Sequence, residues 1–188
     1  MSLPMATLTI ELPTKADQTA FNLRRWTELL ADSQLGRELA KIEGRIETNR
    51  YGHIIMLPPA GPPHGGYQAE ITYLLRSLLP EGRVITECPI STADGVRAAD
   101  VAWASVNRLA VIEKKVLLVA APEICVEVIS PSNTRREMAE RKALLFAAGA
   151  REVWFCDKDG RMTFFVGAAS RGTKSSRLCP AFPREIRL

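Results

Sequence analysis

The segment Glu123-Ile-Cys-Val-Glu-Val-Ile129 constrains this chain more than any other. After its leading Glu123 it is rich in β-branched residues and apolar on both alternating faces except at Glu127. A half-exposed strand would alternate apolar with polar side chains. This one does not, so it belongs inside a sheet covered on both sides. Two covering layers need a sizeable chain, and 188 residues supply one such domain. Hydrophobic residues at 46% and charged residues at 24% are globular values. No apolar run reaches the roughly 18 residues that cross a bilayer, so no membrane partner is expected. Met1-Ser-Leu-Pro-Met-Ala6 lacks a basic segment followed by an apolar core, and the expected location is cytoplasmic.

The remaining elements follow from periodicity and punctuation. Residues 17–32 predict an amphipathic helix with Leu23, Trp26, Leu29 and Leu30 on one stripe and Asp17 as N-cap. Residues 45–47 and 53–57 predict two strands around an Asn49–Gly52 turn. The Pro58–Pro63 stretch is a stiff loop, followed by a helix over 64–79. Short strands are expected at 84–87 and 96–104, while 117–121 is an apolar run of unassigned type. After 123–129, a Ser130–Asn133 turn opens a helix that ends at Gly149, and 153–156 with 162–166 form a hairpin. Strands mixed with helices over one core indicate an α/β sheet domain. The expected divisions are an N-terminal extension (1–17), the main domain (18–166) and a C-terminal tail (167–188).

The tail carries Arg171, Lys174, Arg177, Arg184 and Arg187 against Glu185, which accounts for the whole net charge of +4. Its Gly, Ser and Pro content suggests a loosely attached appendage. Cys88, Cys125, Cys156 and Cys179 form no CxxC pair and read as buried free thiols. With His53 and His64 the only histidines, a His-rich metal centre is excluded. Any hydrolytic metal site must then use carboxylates, which suit magnesium or manganese.

Glu127 is the sharpest anomaly, since an ionised carboxylate in an apolar strand costs several kcal/mol unless it is paired or binds a cation. Asp100 stands in a second such strand, Arg97-Ala-Ala-Asp-Val-Ala-Trp103. Met138, Arg141, Lys142 and Leu145 share one helical face, which directs Arg141 or Lys142 toward the sheet. Two acids and a cation form a phosphodiesterase-like set: Asp100 and Glu127 as metal ligands, the basic residue stabilising charge on the phosphate. The spacing is also compatible with a salt-bridged core.

Six segments stand in a recognisable order: Arg45-Ile-Glu47, Ile54-Ile-Met-Leu-Pro-Pro-Ala-Gly61, Ala69-Glu70, Gly95–Trp103, Pro122–Asn133 and Ala148–Asp157. Over residues 18–166 the chain resembles the Uma-two family, bacterial domains similar to restriction endonucleases of the PD-(D/E)XK superfamily. The resemblance implies a restriction-endonuclease-like mixed β-sheet flanked by helices, with an N-terminal helix. It also implies a Mg2+- (or Mn2+-) dependent endonuclease acting on nucleic acid, DNA ahead of RNA, as a homodimer. Asp100 and Glu127 match the motif's two acids. Ile129 stands where the motif's lysine would be, and the helix position that replaces it aligns with Arg141, with Lys142 one step later. Arginine donates hydrogen bonds well but is a poor proton shuttle. Ala99 replaces the proline usual before the first acid. Glu70 matches a helix acid near the metal, and Glu47 aligns with a recurring acid or pairs with Arg45. His64 reads as a cap or loop contact, and the three tryptophans read as core. The alternative reading is a nuclease-fold nucleic-acid-binding module with little or no turnover.

Overall fold

The computed structural model describes residues 14–31, 34–39, 41, 44–114 and 116–188; most of the expected N-terminal extension therefore lies outside the described residues. The elements run α1 (Lys15–Leu30), α2 (Gln34–Leu39), β1 (Arg45–Thr48), β2 (Ile54–Leu57), α3 (Pro62–Leu78), β3 (Gly82–Thr92) and β4 (Gly95–Ser105). They continue α4 (Val106–Ile112), β5 (Ile124–Val128), α5 (Arg135–Ala148), β6 (Glu152–Cys156) and β7 (Met162–Phe165). The main sheet has the order β3-β4-β5-β6-β7, and β1-β2 form a separate hairpin. Among the strands of the described residues only β5 and β6 pair in parallel, joined by α5 as a crossover helix. This is the mixed α/β sheet flanked by helices that the sequence indicates.

β5 is buried along its whole length, as its two-faced apolarity requires. On one face, Leu109 and Ile112 of α4 and Leu145 and Ala148 of α5 pack with Ala102 and Cys125. On the other, Ile71 and Leu75 of α3 pack with Val101, Val126 and Trp154. The second face needs one more cover, and the C-terminal segment supplies it through Cys179, Phe182 and Ile186. The expectation of a loosely attached tail is thus overturned. Its three apolar anchors have helical spacing, but Pro180 and Pro183 break the pattern, so they do not register as a helix or strand. Met162 N–H donates to Arg184 O at 2.9 Å and Ile186 N–H to Gly160 O at 2.8 Å, so the backbone adds to the docking. All four cysteines are free and buried.

Several boundaries move for local reasons. Thr14, not Asp17, caps α1: its hydroxyl accepts from Asp17 N–H while the Asp17 carboxylate accepts from Thr14 N–H. The buried stripe of α1 is Gln18, Asn22, Trp26 and Leu29, whereas Leu30 is exposed. Asn22 Nδ2 donates to Ser91 Oγ (2.9 Å) and Thr92 O (3.0 Å), which pins the helix to the β3-β4 turn. β3 runs well past residue 87 because it pairs with β4 through the Ala93-Asp94 turn. Pro89 is tolerated because β3 is the first strand of the sheet. Thr134 and Glu137 form the capping box that opens α5, and Gly149 ends it in a left-handed conformation (φ 111°).

Candidate active site

β4 and β5 are antiparallel with Val101 opposite Val126. Continuing that register by one step sets Asp100 against Glu127. Directly opposed side chains on such a pair lie roughly 5 Å apart at Cβ. On the other side the β3-β4 ladder skips one position between Thr86–Val101 and Cys88–Ala99, which leaves Glu87 beside Asp100. Three carboxylates therefore stand in a row across three strands. All three line one cavity of about 810 Å³, bordered by the Pro58–Gly61 loop, by Pro63 and by Ser130–Asn133. Pro62 and Pro63, expected in the loop, form the first turn of α3, where proline needs no N–H partner. Glu87 has φ 48°, the only positive φ at a non-glycine among the described residues. Backbone strain of this kind costs about 1–3 kcal/mol and clusters where a site dictates geometry.

Two arginines thread the acids. Arg45, on β1, donates from Nη1 to Asp100 Oδ1 (2.7 Å) and to Glu87 Oε2 (3.0 Å). Val128 N–H donates to Asp100 Oδ2 at 2.7 Å, and His64 Nε2 lies 3.5 Å from Oδ1. Gln68, one turn after His64, donates to Glu87 Oε1 at 2.6 Å. Arg141, on α5, grips Glu47 with Nη2 (2.8 Å to Oε1) and Nη1 (3.3 Å to Oε2). Its Nε lies 2.8 Å from Glu127 Oε1. That contact is ionic rather than a formed hydrogen bond, because the N–H is misaligned, and neither buried atom has a hydrogen-bond partner.

The sequence-derived residues thus separate into two groups. Asp100, Glu127, Glu47 and Arg141 converge, with Asp100 only 1% and Glu127 3% exposed. Lys142 and Glu70 do not. One residue along α5 is a rotation of roughly 100°, and Lys142 Nζ sits 4.2 Å above the Phe165 ring, beside a separate cleft. Glu70 is half-buried on α3 and is not part of the cavity wall; Gln68, on the same helix, reaches Glu87. Glu47 pairs chiefly with Arg141 and with Ala98 N–H (3.0 Å); Arg45 Nη2 is 3.9 Å away. Glu47 is buried behind the cavity rather than lining it. His64 is more than a loop contact, since it lines the cavity beside Asp100. Arg45, Gln68 and Glu87 carry no local sequence signal, being one basic residue on a short strand and two polar residues of ordinary appearance.

Burial drives the protonation behaviour. It pushes the Glu127 carboxyl up from an ordinary value near 4.5 to about 7, against the pull of Arg141 and with a further push from Asp100. Burial also raises Asp100, but the contacts from His64, Arg45 and Val128 N–H outweigh it, so its pKa is lowered. His64 is raised, first by its contact with Asp100. Burial alone would lower Arg141; Glu127 and Glu47 reverse this and keep it protonated.

Among the described residues no group of three or more His, Cys, Asp or Glu side chains is arranged to hold a metal ion. Two hard carboxylates on adjacent strands nevertheless fit a divalent cation that keeps several waters, as magnesium does. Glu127 has only the Arg141 contact at Oε1, which leaves the rest of its carboxylate without a protein partner among the described residues.

A mixed sheet with opposed acids and a cationic helix over one end defines a restriction-endonuclease-like class of domain. A solved structure of the same architecture is described as a "putative nuclease belonging to DUF820 from Anabaena variabilis ATCC 29413". It aligns with a TM-score of 0.57 at 17% identity, over 73% of this chain and 81% of that one. Residues 34–182 match the Uma2 family model, described as "Putative restriction endonuclease", and the chain belongs to that family. Comparison with the curated proteins finds no match. Among the described residues no helix is long and apolar enough to cross a membrane.

Proposed function

We propose that the chain is a magnesium- or manganese-dependent endonuclease that hydrolyses phosphodiester bonds in DNA, with Asp100 and Glu127 holding the ion. The observation that supports this most is the pair itself: Asp100 and Glu127, two nearly inaccessible carboxylates on adjacent antiparallel strands, line one cavity. A divalent ion bound there supplies an acidified water and a clamp on the phosphate.

The chain's own residues supply the remainder. Val128 N–H and Arg45 fix Asp100 so that its carboxylate stays ionised and oriented. Arg141 stays protonated, so it cannot take a proton from water. Its role in this reading is to stabilise negative charge that builds on the phosphate, the effect for which one donor is worth roughly 10²–10³ in rate elsewhere. The Pro58–Gly61 loop, stiffened by its prolines, borders the cavity that holds the acids. The cavity is open enough to admit a backbone phosphate, and the family description supports a nucleic-acid substrate. DNA ahead of RNA, a cytoplasmic location and a homodimer complete the proposal.

The test is nicking of supercoiled plasmid with Mg2+ or Mn2+ and with EDTA. Metal-dependent nicking that disappears in Asp100→Asn and Glu127→Gln is the expected result. Nicking that persists in both variants rejects the assignment.

A second reading, a nucleic-acid-binding module without turnover, is favoured by Arg141 alone. Its guanidinium occupies the lysine position and is held by two carboxylates. Retained metal and DNA binding with no cleavage of DNA or RNA distinguishes it.

A further inference from the structure

Arg141 divides its three nitrogens among three acceptors. Nη2 donates to Glu47 Oε1 (2.8 Å) and to Ala98 O (2.5 Å), Nη1 to Glu47 Oε2 (3.3 Å), and Nε rests 2.8 Å from Glu127 Oε1. Glu47 is itself fixed by Ala98 N–H at 3.0 Å and is buried. The planar fork is therefore locked by its far end. Nε cannot rotate to align with Glu127 without giving up the paired bonds to Glu47, and the same bonds prevent it from withdrawing. Glu127 is left with a counter-ion that neutralises it incompletely and that stands where a second cation would approach.

We propose that Arg141 is a built-in competitor for the cation position on Glu127, and that Glu47 is the anchor holding it there. The proposal rests on the reading of Glu127 as a cation ligand. A divalent ion binding the Glu127 carboxylate must displace Nε from Oε1 or bind with that positive charge held on the same carboxylate. A lysine at 141 would compete less: one ammonium cannot serve Glu47, the Ala98 carbonyl and Glu127 together, as the spread donors of a guanidinium do. The chain's affinity for divalent ions is accordingly set below what Asp100 and Glu127 could provide.

The experiment is Mn2+ binding by electron paramagnetic resonance of the free ion, in wild type, Arg141→Lys, Arg141→Gln and Glu127→Gln, each checked for folding by near-ultraviolet circular dichroism. Affinity should rise about 10-fold in Arg141→Lys, which corresponds to about 1.4 kcal/mol, rise further in Arg141→Gln, and fall below detection in Glu127→Gln. Wild type provides a test that needs no altered fold. The Arg141 Nε–H resonance, assigned by its loss in Arg141→Lys, should shift in step with Mg2+ occupancy. Equal Mn2+ affinity in wild type and both Arg141 variants, or a resonance that stays put at saturation, overturns the competition while leaving the metal site standing. No Mn2+ binding in wild type or in either folded Arg141 variant removes the metal reading, and the competition with it.

Discussion

Two glutamates, Glu127 on β5 and Glu152 on the parallel neighbour β6, are equally inaccessible at 3% and 2% exposure, and they are solved in opposite ways. Glu152 accepts four hydrogen bonds from uncharged donors: Arg177 N–H (2.7 Å), Leu178 N–H (2.9 Å), Ser176 Oγ (2.7 Å) and Trp154 Nε1 (2.7 Å). Every lone-pair direction is used, and the C-terminal segment is clasped to the sheet. Glu127 has one misaligned contact with Arg141, and its oxygen Oε1 is unsatisfied. A buried acid that the fold needs is fully bonded. A buried acid with spare capacity calls for a partner from outside the chain.

Breaking the clasp should have the largest effect. Glu152→Ala leaves four donors unpaired, at a cost of roughly 3–5 kcal/mol, or about 10 °C in Tm for a chain of this size. Thermal denaturation with limited proteolysis should show the loss and new cleavage within 167–188. A variant as stable as wild type would remove the contrast.

Glu127→Gln should behave in the opposite way in chelator. The Glu127 pKa is raised on folding, so the stability linked to it is fully present below about 4.5 and is lost as pH rises through about 7. Glutamine abolishes that loss. The stability difference, variant minus wild type, should grow with pH across this window by about 1–3 kcal/mol. Denaturant titrations at pH 4.5, 6 and 8 read it; a flat difference would contradict the assignment.

Asp100 reverses the sign. Its pKa is lowered on folding, so its contribution is present above the ordinary carboxylate range and disappears as pH falls through the folded value. Asp100→Asn should cost about 1–2 kcal/mol at pH 7 through weakened bonds to Arg45 and Val128 N–H. The gap should close in acid.

The smallest effect belongs to Lys142→Ala. A cation over Phe165 at 4.2 Å contributes about 0.5–1 kcal/mol. Neither Mn2+ binding nor nicking should change, which separates this lysine from Arg141.

What could be read in the sequence follows the range of each signal. β5 was legible because its apolarity on both faces is local, and Glu127 stood out against it. Asp100 was legible for the same reason, and helical spacing brought Arg141 and Lys142 into consideration together. Choosing between them required the rotation of α5, which its caps at Thr134 and Gly149 set. Arg45, Gln68 and Glu87 were not legible, because their role depends on the β1 hairpin and α3 meeting β3 and β4 from distant positions. The tail was misread because composition registers its Gly, Ser and Pro, while the donors that hold it are backbone N–H groups aimed at a glutamate more than twenty residues earlier.

The most direct test of the central claim, that Asp100 and Glu127 form a cation-dependent phosphodiester site, is Mn2+-supported plasmid nicking by wild type and Glu127→Gln at matched folded concentration, with Lys142→Ala as the control. Wild type and Lys142→Ala should nick in a reaction that EDTA abolishes, and Glu127→Gln should not nick. Equal nicking by Glu127→Gln, or nicking that EDTA leaves intact, would contradict it.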